Sequence, residues 1–213
     1  MDGASNRRAY RPVPMEVHAL AVPDAYRVVP SRVPDARGCF AESFRYTELR
    51  EATGHAFTPR QANWSVSRRG TLRGIHGVLI PPGQAKFVTC PRGAVLDIVV
   101  DIRLGSPTFG AYSANRLDAE SGDAVFVAEG LGHGFVALTD DACVTYLCST
   151  EYVPGTPFEI DPLDPQLALP WGLSEPPLMS TKDAGAPTLE QAADRGLLPT
   201  YAECRRLYGA VHA

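Results

Sequence analysis

Ala94-Val95-Leu96-Asp97-Ile98-Val99-Val100-Asp101-Ile102-Arg103 sets Leu96, Ile98, Val100 and Ile102 on one face and Asp97, Asp101 and Arg103 on the other. A period of two reads as a half-buried β-strand. On that reading Asp101 and Arg103 are outer-face charges that pair locally, outside any functional site. Similar short runs at 124–128, 134–138 and 142–149 are separated by Gly, Pro, Asp and Ser, at the spacing of sandwiches and barrels. Helical pattern is confined to 46–52, to 188 through about 195, where Thr188 and Gln191 have capping-box spacing, and to 201–207. The proline-rich stretch 153–187 suits an ordered loop wrapped over the sheet. The expectation is an all-β barrel with short C-terminal helices, one domain over residues 16–213 behind a loosely held arm of residues 1–15.

Composition narrows the partners. With 213 residues and 45% hydrophobic content, the chain can bury one substantial core. A net charge of −4, with lysines and arginines scattered, carries no electrostatic footprint for nucleic acid or a membrane surface. No apolar run has the length of a bilayer span, and residues 1–14 hold no hydrophobic signal segment, so the expected location is the cytosol. Five cysteines without CxxC spacing, three of them (Cys90, Cys143 and Cys148) inside apolar strands, predict reduced, buried thiols and no structural zinc.

Chemistry concentrates around Arg73-Gly74-Ile75-His76 and Gln84-Ala85-Lys86-Phe87-Val88, two predicted strands joined by a Pro81-Pro82-Gly83 turn. Regular alternation would point Leu72, Gly74 and His76 one way and Arg73 and Ile75 the other. The pair of strands offers one base and one fixed cation to a shared ligand. Metal-holding barrels group two or three imidazoles with a carboxylate, usually starting from His-x-His. Here His76 is flanked by Ile75 and Gly77, and His133 has no clustered acid in sequence, so the expectation is no metal and acid–base chemistry in the barrel mouth.

From about residue 28 to about residue 199 the chain resembles the dTDP-4-dehydrorhamnose 3,5-epimerase family. The resemblance rests on Asp35-Ala36-Arg37-Gly38-Cys39-Phe40, Gln61-Ala62-Asn63-Trp64-Ser65, Arg73-Gly74-Ile75-His76, Gln84-Ala85-Lys86, the run from Asp101 to Gly110, Gly132-His133-Gly134-Phe135, Tyr146-Leu147-Cys148 and Ser180-Thr181-Lys182-Asp183, in that order. It implies a cupin-type jelly roll that works without metal or other cofactor, as a homodimer, on a dTDP-linked 4-keto-6-deoxysugar. It further implies that His76 is the general base, oriented by Asp183; that Lys86 stabilises the enolate oxygen; and that Tyr146 returns a proton from the opposite face. Arg73 would contact the diphosphate, and Gln61, Asn63 and His133 would bond the ligand or support His76. Arg37, Phe40, Glu42 and Tyr152 match positions that hold the nucleotide, some of them from the partner subunit.

Two features bear on the product. Family members acting at both C3 and C5 commonly follow the histidine with an aromatic and a glutamine, where this chain has Gly77 and Val78. The run from Gly196 to Tyr201 resembles the ends of epimerases in actinomycete natural-product deoxysugar assembly, which favours that role over cell-wall rhamnose. The competing readings are a cupin 3,4-ketoisomerase and a barrel that binds sugar nucleotides without catalysis.

Overall fold

The computed structural model describes residues 14–210. The expected N-terminal arm falls almost wholly on residues 1–13, outside the described residues. One sheet runs in the order β1 (Glu16–Ala19), β2 (Ala25–Val29), β10 (Ala124–Val127), β7 (Lys86–Arg92), β12 (Ala142–Cys148), β5 (Gln61–Ser67). The other runs β13 (Pro157–Glu159), β6 (Leu72–Val78), β11 (Gly132–Ala137), β8 (Ala94–Val100), β9 (Tyr112–Asp118). From β5 to β12 every connection crosses between the sheets except the β8–β9 hairpin, the winding of a jelly roll. A hairpin of β3 (Arg32–Asp35) and β4 (Gly38–Ala41) stands apart as its own two-stranded sheet.

Helices α1 (Tyr46–Thr53), α3 (Leu189–Asp194) and α4 (Tyr201–Ala210) fall where the sequence predicts them, and α3 has the expected Thr188–Gln191 capping box. The four-residue α2 (Thr181–Ala184) is unanticipated: it begins where Ser180 Oγ accepts a hydrogen bond from Asp183 N at 3.0 Å. None of the helices among the described residues is long and apolar enough to cross a membrane. All five cysteines are free, with Cys90, Cys148 and Cys204 buried and Cys39 exposed.

The alternation in β8 separates two buried environments rather than core from solvent. Val95 and Val99 enter the cluster between the sheets, while Ile98, Val100 and Ile102 pack outward against Phe158, Ile160, Leu167, Trp171 and Leu189. The proline-rich segment thus wraps the sheet as expected, and it covers the face that holds the apolar stripe. Asp97, Asp101 and Arg103 are fully buried, so the expectation of outer-face charges is corrected. Asp101 receives Arg103 Nη2 at 2.8 Å and the hydroxyls of Ser106 and Thr108 at 2.7 Å each, while Arg103 Nη1 reaches Asp24 at 2.6 Å. Saturated hydrogen bonding of this kind lets ionised groups survive without water.

A second correction concerns β6. His133 pairs with His76 and Phe135 pairs with Arg73, so three steps along β6 match two along β11. This β-bulge breaks the alternation and puts Arg73 and His76 on the same, cavity-facing side, while Leu72 and Ile75 both join the outer cluster. Glycines make the close approach possible. A Cβ on Gly74, whose φ is +122°, would lie 2.5 Å from Gly134 Cα.

Candidate active site

The two sheets enclose a cavity of about 310 Å³. His76 and His133 line it from the five-stranded sheet, and Lys86, Tyr146 and Asn63 line it from the six-stranded sheet. Arg73, from the bulge, lines it too and is steadied by a 3.1 Å hydrogen bond from its Nε to Ser67 Oγ. A smaller lobe of about 190 Å³ shares His76, Lys86 and Asn63 with the first, and adds Gln61, Tyr152 and Glu159.

His76 Nε2 lies 2.7 Å from Asp183 Oδ1, with the imidazole side chain 41% exposed and the carboxylate 6% exposed. Burial alone would raise the Asp183 carboxyl, but hydrogen bonds and charge from His76, with support from Ser180 and the Gly74 backbone, hold it below its ordinary value. An ionised aspartate accepts only, so Nε2 carries the proton and Nδ1 keeps the lone pair of the neutral ring. The Lys86 side chain is half-buried, and its ammonium makes no hydrogen bond or ion pair with the described residues. Burial lowers its pKa against the opposing influence of Cys148 and Asp97. A cation held this way has donors free for a ligand oxygen.

Burial pushes the Tyr146 phenol well above its ordinary value, more than Ser65 and Arg73 pull it down, so the hydroxyl keeps its proton through neutral pH. Its ring meets His133 edge-on, with centroids 6.1 Å apart. His133 is only 3% exposed, and its Nε2 lies 2.5 Å from Asp97 Oδ2, a second histidine–aspartate pair that sequence reasoning missed. The only trace of it in the sequence is the alternation of β8, which sets Asp97 on the face opposite the apolar stripe.

The other expected binding residues divide into two groups. Gln61 accepts from Tyr152 N at 2.8 Å and donates to Asn63 at 3.0 Å, which ties the rim of the small lobe together. Arg37, Phe40 and Glu42 do not line either lobe. Arg37 pairs with Asp35 at 2.6 Å on the exposed hairpin, Phe40 is 57% exposed, and Glu42 pairs with Arg45 at 2.6 Å. Among the described residues no group of three or more His, Cys, Asp or Glu is arranged to hold a metal ion.

Residues 19–191 match the family model described as dTDP-4-dehydrorhamnose 3,5-epimerase. The chain belongs to the dTDP-4-dehydrorhamnose 3,5-epimerase family. The dTDP-4-dehydrorhamnose 3,5-epimerase of Mycolicibacterium smegmatis is 46% identical over 90% of this chain and 94% of its own. Among solved structures, NovW, a 4-keto-6-deoxy sugar epimerase from the novobiocin biosynthetic gene cluster of Streptomyces spheroides, superposes with a TM-score of 0.87 at 47% identity, over 91% of this chain and 97% of its own. ChmJ, a 3'-monoepimerase from Streptomyces bikiniensis in complex with dTDP-quinovose, gives 0.88 at 47% identity, over 92% and 98%. The family's cupin-type jelly roll is therefore the fold of this epimerase.

Proposed function

We propose that this epimerase inverts C5, C3 or both in a dTDP-4-keto-6-deoxyhexose, in the assembly of natural-product deoxysugars. One observation supports the reading: the His76 imidazole and the Tyr146 phenol line one cavity from opposite sheets, and Lys86 lines it too. A carbon next to the C4 ketone gives its proton to His76, and the C–H electron pair moves into the ring, leaving negative charge on the C4 oxygen. The Lys86 ammonium stabilises that enolate where the charge develops. Tyr146 then delivers a proton from the other face, which reverses configuration with no net redox change.

Arg73 is suited to the diphosphate, since a planar guanidinium makes paired, charge-assisted bonds to phosphate oxygens. Gln61, Asn63 and His133 would bond the ligand or support His76, and Tyr152 would contact the nucleotide. The exposed Phe40 and Trp64, at 57% and 72%, support a homodimer in which Arg37, Phe40 and Glu42 reach the nucleotide across the interface. The free thiols support a reducing, cytosolic setting.

The test is incubation with dTDP-4-keto-6-deoxyglucose in deuterated water, followed by NMR. Deuterium should enter C3, C5 or both, and the labelled position names the centre inverted. Exchange no faster than without enzyme would reject the reading, and a product with its carbonyl at C3 would identify a ketoisomerase instead.

A further inference from the structure

His76 has two carboxylates beside it, and only Asp183 belongs to the dyad. β13 pairs with β6 in the register Phe158↔Gly77, Glu159↔His76. Ile75 and Ile160 exchange both backbone hydrogen bonds, at 3.1 and 2.9 Å. The neighbouring pair, His76 with Glu159, is therefore the non-hydrogen-bonded kind, in which Cα atoms lie about 4.5 Å apart and side chains come closest. Both line the smaller lobe, and the Glu159 side chain is only 15% exposed. The register is pinned by Phe158, whose ring packs so closely that a Cβ on Gly77 would meet it at 2.3 Å. With Phe158 committed to the outer cluster, alternation aims Glu159 inward.

A second carboxylate in that position would favour the imidazolium over the neutral ring that a base needs. The fold supplies a counter-charge, because Glu159 Oε1 pairs with Lys182 Nζ. Lys182 directly precedes Asp183, so the short helix α2 carries both the carboxylate that orients His76 and the cation that tempers Glu159. From the other elements around the cavity, Lys86, His133, Arg73 and Tyr146 also face this space, and Glu151 lines the smaller lobe.

We propose that the Glu159–Lys182 ion pair is a charge-setting and positioning device for the general base: Glu159 favours the protonated ring, Lys182 limits that effect, and together they set the pH at which His76 can take a proton. The inference rests on His76 being the base. Glu159 and Lys182 are positioning residues and touch no reacting atom.

The test uses the whole, substrate-free chain labelled in its histidines. The His76 Cε1–H signal, assigned by its loss in His76→Asn, is followed by NMR from about pH 5 to 9, the range in which histidine changes charge. Lys182→Met should move its midpoint up and Glu159→Gln should move it down, each by about half a pH unit. The double variant should return close to the parent value. The Lys182 side chain is 65% exposed, outside the packed core, so Lys182→Glu serves as a second variant with a larger upward shift. The acid limb of kcat/KM for deuterium exchange should follow in the same directions. Shifts of the same sign in Lys182→Met and Glu159→Gln, or none in either, would overturn the inference and leave the epimerase reading standing. Opposite shifts in a chain that catalyses no exchange would sink the epimerase reading alone.

Discussion

Asp183 holds His76 from a buried seat while the ring stays open to the cavity, an arrangement that fixes the tautomer without blocking the lone pair. His76→Ala should therefore lose the exchange step itself, a drop of about 10²–10⁴-fold on the usual scale of general-base removal. Tyr146→Phe should behave differently, since the proton it donates is needed only after the enolate forms. Deuterium entry from solvent should persist while inverted product falls, as read by NMR at C3 and C5. Parent-level turnover in both variants would refute the roles. His76, Lys86 and Tyr146 were legible as residues because the motifs around them are specific. Asp97 was not, because a buried aspartate and a solvated one look alike in an alternating strand until the partner His133 is in place.

At the scale of elements, β6 depends on its glycines. Gly77 lies opposite Phe158 and leaves the gap that the aromatic ring fills from β13. Gly77→Ala should cost about 1–3 kcal/mol in urea unfolding, the usual range for overpacking. In a Phe158→Ala background the same change should cost far less, because the clash has gone. Equal costs in both backgrounds would show that Phe158 does not set the limit at Gly77. The capping box of α3 could be read from Thr188 and Gln191 because both partners lie within one turn. Helix α2 could not be read, since four residues hold too little apolar period to register. The bulge in β6 was invisible for a related reason: it is defined by the register against β11, a strand more than fifty residues away.

At the scale of the molecule, Arg103 joins the end of β8, through Asp101, to Asp24 in the β1–β2 turn, with Tyr208 of α4 alongside. Burial alone would raise the Asp24 and Asp101 carboxyls. Hydrogen bonds from His55 and Arg103 to Asp24, and from Arg103, Ser106 and Thr108 to Asp101, hold both below the ordinary value. A folded-state pKa below the unfolded one gives stability that is complete above about pH 4 and is lost as pH falls through the folded-state values. Arg103→Met leaves two buried carboxylates without their cation, so it should cost about 3–5 kcal/mol and move acid unfolding, followed by circular dichroism, to higher pH. An unchanged acid midpoint would show that the network does not carry this stability. The all-β class, the wrapped proline-rich segment, three of the four helices among the described residues and the candidacy of His76, Lys86 and Tyr146 for base, cation and acid came from local pattern and motif. Tertiary structure alone decided that both faces of β8 are buried, that Arg73 shares a side with His76, and that Asp97 pairs with His133 and Glu159 lies beside His76. Each of these depends on which distant strand lies alongside, and pairing between distant strands is set by the packing of the whole barrel rather than by any one segment.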